Sequence, residues 1–228
     1  MKNWKKYFLV CLVILLIIFI ACKPGANDDN NDDGLTKEIH NIIPDDILEA
    51  FKELGIEING GKNPPNIEGT FLVSPLLLIE SNFSDSLSPG YRFDDNQITF
   101  SKQDNANLTV VLDYINGPQI GSGLGSFITG SGNKFSVFTE ISGTLYGSPY
   151  KSVEICSGEI TSSGIANYYW AFMITEEAPS TVKRGQGRLG NDGDGFSERL
   201  SSGSTSWVYI PDHNLTSSED VLRSIYSK

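Results

Sequence analysis

The sequence predicts a mainly β domain, an antiparallel barrel or sandwich of about eight strands, and three observations carry that expectation. Beyond Asn66 no apolar run keeps a helical period; short runs alternate apolar and polar residues, and clusters of Gly, Asn, Asp and Ser separate them. The chain holds 12 Phe, 9 Tyr and 3 Trp, ample for the two-sided packing of a closed or stacked sheet. Of its 3 cysteines, Cys11 lies in an N-terminal apolar run and Cys22 ends it, so Cys156 is left without a disulfide partner and the domain must be held by its core.

The first 22 residues set the address. Lys2, Lys5 and Lys6 form a positive start, and Tyr7 to Ala21 is an apolar run of signal-peptide length, short for a membrane span. Its end, Phe19-Ile20-Ala21-Cys22, resembles the lipobox of bacterial lipoproteins, with Phe19 in place of the usual Leu. That resemblance implies removal of residues 1–21, acylation of Cys22 and attachment to the membrane through lipid. Cleavage would remove those three lysines and no acid, taking the net charge from −11 to −14. So acidic a surface repels phosphate backbones, which excludes nucleic acid as an expected partner.

Residues 22–43 are expected to be an acidic, disordered tether, since Asp28, Asp29, Asp32 and Asp33 sit among Pro and Gly with little to bury. Acids near a lipidated cysteine resemble the surface-export signal of Bacteroidetes-type lipoproteins, although here they begin six residues after Cys22. Lys23 behind the cysteine fits release to the outer membrane, with the domain on its periplasmic or cell-surface side.

A single domain then spans 44–228. Asp45 to Leu54 reads as an amphipathic helix, with Ile47, Leu48, Phe51 and Leu54 on one stripe, Pro44 at its start and Gly55 in the left-handed position behind it. Its stripe is expected to cover one end of the sheet structure. Ile67 to Glu80 opens the β region. Asn96 to Ser101 and Leu108 to Tyr114 read as a hairpin across Asp104-Asn105-Ala106, followed by strands at Ser126 to Thr129, Lys134 to Leu145, Lys151 to Ile160, Ala166 to Thr175 and Thr205 to Ile210. Within Ala166 to Thr175, both alternating sets are apolar, Tyr168, Trp170, Phe172 and Ile174 against Tyr169, Ala171 and Met173, so that strand is expected to be buried on both sides. Ser217 to Tyr226 reads as a short closing helix.

About eight up-and-down strands, the opening Ile67-Glu68-Gly69-Thr70-Phe71 and a terminal helix look like a calycin, the lipocalin-like barrel. In that family a Gly and an aromatic near the start of the first strand plug the closed end, a role that falls on Gly69 and Phe71, although the usual Trp is absent. The stretches Gly60 to Ser74 and Gly193 to Ser197 resemble lipoproteins of Bacteroidetes-type bacteria, a likeness that implies no activity.

Several patterns hint at chemistry. Gly185-Gln186-Gly187-Arg188-Leu189-Gly190 spells GxGxxG, but Asn191-Asp192-Gly193-Asp194-Gly195 follows where a phosphate-binding helix would have to begin, so a glycine-rich connection is expected. Asp192, Asp194 and Glu198 half-resemble a calcium loop; alignment on Gly195 puts Ser201 where a bidentate Glu belongs, and a hydrogen-bonded turn is the better reading. The two histidines, His40 and His213, stand far apart in sequence, and Cys156 in a strand reads as an inert thiol. No cofactor, metal or catalytic residue is assigned.

What remains is binding. The favoured expectation is a non-enzymatic module for a small apolar or amphipathic ligand inside the barrel; the alternatives are a glycan-binding β-sandwich and a structural or assembly lipoprotein without a ligand. Tyr146 and Tyr150, which flank Gly147-Ser148-Pro149, and Trp207 and Tyr209 in the last strand are the rings expected to lie exposed and to contact the ligand.

Overall fold

The computed structural model describes residues 33–201, apart from 118, 146–147 and 178–182. Cys22, Tyr146, Trp207 and Tyr209, the strand at 205–210 and the helix at 217–226 lie outside the described residues, as does the signal segment.

Two helices, α1 (Lys37–Ile42) and α2 (Asp45–Leu54), precede ten strands: β1 (Gly69–Val73), β2 (Leu76–Ser81), β3 (Asn96–Asp104), β4 (Thr109–Asn116), β5 (Gln119–Ser131), β6 (Lys134–Leu145), β7 (Ser148–Ile160), β8 (Gly164–Glu176), β9 (Gly187–Asp192) and β10 (Phe196–Arg199). Their order across the sheet is β10-β1-β3-β4-β5-β6-β7-β8-β9-β2, and β10 also bonds β8. The sheet therefore closes into an eight-strand antiparallel barrel with extra strands, a calycin-like architecture. All pairings between neighbouring strands are antiparallel, as a meander requires.

The ten strands reduce to eight because two long strands are broken in the middle. The opening Ile67 to Glu80 run bends at Ser74-Pro75 into β1 and β2; a proline supplies no ladder N–H, so the pairing partner changes there. The facing strand bends at residues 193–195 into β9 and β10. β1 pairs with β10 and β2 with β9. Residues 185–190, expected as a connection, instead lead into and form most of β9. Glycine suits this strand for a steric reason: a Cβ at Gly187 would stand 2.3 Å from the Phe172 carbonyl oxygen.

Strand alternation divides the core into two. Inside the barrel lie Phe71, Val73, Ile98, Phe100, Val110, Leu112, Ile128, Phe135, Val137, Cys156, Ile165 and Tyr168, from nearly every wall strand. The second cluster takes the opposite faces of β6 to β9, Phe138, Val153, Ile155, Ala171, Met173 and Leu189, with Phe127 of β5 and Ile79 of β2 at its margins, and buries them under Leu35, Ile39, Ile43, Ile47, Leu48, Phe51 and Leu54. The second side is thus the outside of the wall. The helix Asp45–Leu54 has the predicted bounds, and Gly55 takes φ +96° behind it. It does not cover a barrel end, however, but lies flat on the outer wall.

The tether also ends earlier than expected. Residues 37–42 form α1, whose N-cap Thr36 side chain accepts from Ile39 N–H, and Leu35, Ile39 and Ile43 are buried. These apolar residues are spaced for one face and meet a wall already apolar on its outside.

One end of the barrel is sealed. Phe100 packs on Phe71 and edge-on to Phe135, with centroids 6.2 and 6.0 Å apart. Ile67 is fully buried beneath a strand of chain fixed by Gln103, which donates to the Pro65 carbonyl and accepts from Ile67 N–H. Arg199 closes this plug, with its guanidinium 4.6 Å above the Phe71 ring and a hydrogen bond to the Glu68 carbonyl. Gly69 makes room for it, since a Cβ there would stand 2.0 Å from Arg199 Nη1. Gly69 and Phe71 thus sit at the sealed end.

Because α2 fills the outer wall with a fully buried ring, Phe51→Ala is expected to lower unfolding free energy by about 3 to 5 kcal/mol. Chemical denaturation checks this, and a loss below about 1 kcal/mol would place the helix off the wall.

Candidate functional site

The opposite end of the barrel is built differently. Phe93, Tyr114, Leu124 and Trp170 pack against the interior cluster yet remain only partly buried, whereas at the sealed end Ile67, Phe71, Phe100 and Phe135 are closed to solvent and Ile160 alone of the cluster's neighbours there keeps some surface. These inward-facing side chains keep accessible surface at this end of the wall.

Register places a polar row around this level. Thr139 on β6 lies opposite Glu154 on β7, Glu154 opposite Phe172 on β8, Phe172 opposite Arg188 on β9, and Arg188 opposite Ser81 on β2. Thr139 extends the row to β5 through a 2.7 Å hydroxyl contact with Ser126. One step closer to the sealed end the row is apolar: Ile128, Val137, Cys156 and Trp170.

Glu154 is the chemically unusual member. Its Oε2 accepts from the Trp170 indole N–H at 3.1 Å, and among the described residues no Lys, Arg or His stands within ion-pair distance. Protein surrounds it, yet part of its surface stays accessible. Burial pushes its carboxyl up to about 7, against the pull of the Trp170 hydrogen bond. Near neutral pH this end of the barrel therefore holds a carboxyl divided between its charged and neutral forms. Burial, followed by the negative charge of Glu154, raises the phenols of Tyr114 and Tyr150 as well.

Arg188 behaves oppositely: it is fully buried and its charge is answered. Nη2 meets the Asp85 carboxylate, Nε donates to Ser81 Oγ at 3.2 Å, and the guanidinium stands 4.7 Å from the Phe83 ring centroid. Asp85 and Phe83 belong to the loop 82–95, so this pair fastens the loop to the rim. The same loop pairs its returning arm to β2, through Leu78 N–H to the Tyr91 carbonyl and Phe93 N–H to the Leu76 carbonyl. It delivers Phe93 edge-on to Trp170, at 6.3 Å between centroids, and Trp170 packs in turn on Phe172 at 5.5 Å.

Of the residues expected to contact ligand, Tyr150 is described and is not exposed. It is buried, although it belongs to neither core cluster. Trp170 was expected in the core and is half-buried at the accessible end of the barrel instead. Cys156 is buried within the barrel beneath the Tyr168 hydroxyl, which donates to its Sγ at 3.2 Å; burial pushes the thiol up to about 12, far from a reactive thiolate.

The Asp192 to Gly195 stretch is a hydrogen-bonded turn. Asp194 accepts from Phe196 N–H, and Gly195 N–H reaches the Asp192 carbonyl. Asp192 is buried and pins both broken strands, accepting from Ser197 Oγ at 2.8 Å and Ser74 N–H at 3.3 Å. Burial raises its carboxyl. Among the described residues no three His, Cys, Asp or Glu side chains converge as a metal site. No helix follows the GxGxxG letters, so no helix N-terminus is offered to a phosphate.

Sequence reading missed Glu154, Arg188 and Asp85. Glu154 alternates with Val153 and Ile155, and on a sheet with one wet face that pattern turns the acid outward. Here the helices cover the Val153 and Ile155 face, which leaves Glu154 pointing in.

Two outcomes are expected. Removing the partner of a buried cation leaves it uncompensated, so Asp85→Ala should cost about 3 to 5 kcal/mol in denaturant, with much of the loss regained in Asp85→Ala/Arg188→Met. For Glu154 the folded-state value lies above the ordinary 4.5, so its contribution to stability is full below about 4.5 and is lost as pH rises to about 7. Glu154→Gln should therefore gain melting temperature relative to the parent as pH goes from 5 to 8; parallel curves would show the carboxyl to be freely solvated. Comparison with known proteins adds no relative: no family model, curated protein or solved structure matches the chain.

Proposed function

We propose that this chain is a lipid-anchored lipoprotein of the bacterial outer membrane whose barrel binds a small amphipathic ligand without transforming it. One observation carries the binding part: Phe93, Tyr114, Leu124 and Trp170, which pack against the interior cluster, keep accessible surface at the end where the carboxyl of Glu154 is also partly accessible. The ligand's apolar body fits against Leu124, Phe93, Tyr114 and Trp170, and its polar end meets the row that holds Glu154, Thr139 and Ser126. Loop 82–95, fastened through Asp85 and Arg188, is the rim such a ligand passes. The anchor rests on the charged, apolar and Cys22-terminated start of the sequence, and places the domain on the periplasmic or cell-surface side.

Native mass spectrometry of the full-length protein, extracted gently from the cells that make it, should reveal a bound small molecule that Trp170→Ala reduces. A barrel that is empty from every preparation, with a dry interior, would sink the reading. For the anchor, Cys22→Ser should abolish incorporation of labelled palmitate and leave the precursor uncleaved. Unchanged labelling would exclude Cys22 as the acceptor.

A further inference from the structure

An accessible carboxylate inside a barrel wall is costly unless something answers it. Among the described residues Glu154 has the Trp170 indole as its hydrogen-bond partner and no cation. The cation that shares its row, Arg188, stands two strands away, roughly 10 Å at sheet spacing, and is already held by Asp85. Besides Thr139 across the strand pair and Cys156 on its own strand, the neighbours of Glu154 are aromatic: Trp170, with Phe93 at its edge, and Tyr114 and Tyr150, whose phenols sense its charge. Carboxylate plus ring faces is the chemistry that receives an organic cation, through ion pairing on one side and the ring quadrupoles on the other. The formal charge of −11 draws cations toward the protein from a distance.

We propose that this end of the barrel selects an amphiphile with a protonated amine or quaternary ammonium head, which the Glu154 carboxylate holds beside Trp170 while the apolar tail lies against Phe93, Tyr114 and Leu124. The proposal rests on the binding function above and adds the sign of the ligand's charge. It also accounts for the arrangement of the two buried charges: Arg188 is neutralised by the protein's own loop, and Glu154 is left for the guest. An anionic amphiphile such as a fatty acid would need the reverse.

The test compares three probes of one chain length, octylammonium, octan-1-ol and octanoate, by equilibrium dialysis at pH 8 against the full chain in nonionic detergent, with detergent alone as the blank. Octylammonium should bind tighter than either of the others by about tenfold or more, and Glu154→Gln should remove that preference while octan-1-ol binding persists. Equal binding of ammonium and alcohol, or a preference for octanoate, would overturn the cation inference and leave the binding function standing. Binding of none of the three would overturn both. If Glu154→Gln does not fold, the ranking of the three head groups on the unaltered chain decides alone.

Discussion

Closure of the barrel at β8 is the constraint on which the other features depend. This strand serves two partners in succession: Gly164 to Ala166 bond β10, and Tyr169 to Met173 bond β9. Between them Asn167 takes φ +51° and donates its N–H to the Gly195 carbonyl, which ties the branch point to the turn between β9 and β10. An unsatisfied strand edge here would leave a row of backbone groups without partners. Because the wall closes, every strand acquires an inside and an outside, and each side chain's environment follows from its parity.

The outside of the wall is treated unequally. β6 to β9 are covered by α1 and α2, while β3 and β4 alternate buried and accessible residues as a sheet with one wet face does. Covered strands therefore carry apolar residues on the outer face and are free to place polar ones within. That freedom admits Thr139, Glu154 and Arg188 to the barrel interior, since α1 and α2 supply burial that a bare barrel would have to obtain from its inner face alone. The helices thus stabilise the domain and, indirectly, permit a polar row in its interior.

The two ends differ by the same logic. At the sealed end Ile67, Phe71, Phe100 and Phe135 meet ring to ring, with Arg199 across the plug. At the other end the broken strand β1-β2 splays from β3, and the returning arm of loop 82–95 occupies the gap. One end of the interior is thus packed ring to ring, and the other is bordered by a loop fastened through the Asp85–Arg188 pair. The charges differ in the same way, with Arg188 matched by Asp85 at the rim and Glu154 partly accessible beside the Trp170 indole.

Much of the fold was legible because it is local. The apolar stripe and Gly55 marked α2, the Asp104-Asn105-Ala106 turn marked the β3-β4 hairpin, and two apolar faces marked β8 as buried twice. These signals need only neighbouring residues, so the sequence by itself determined a mainly β domain of either barrel or sandwich type with an amphipathic helix before it and a net negative charge, while closure of the sheet, which joins residues far apart, was decided by the tertiary structure. The candidate site was not legible, because nothing local distinguishes Glu154 turned to water from Glu154 turned into a barrel. Its neighbours Val153 and Ile155 look like the core face, and they are a core face, though of the outer cluster. Likewise Arg188 sits in a glycine-rich run that reads as a loop until β2 and β8 are set on either side of it. Which face of a strand is wet depends on what is packed over the other, and only the tertiary structure, by laying α1 and α2 across β6 to β9, decided that.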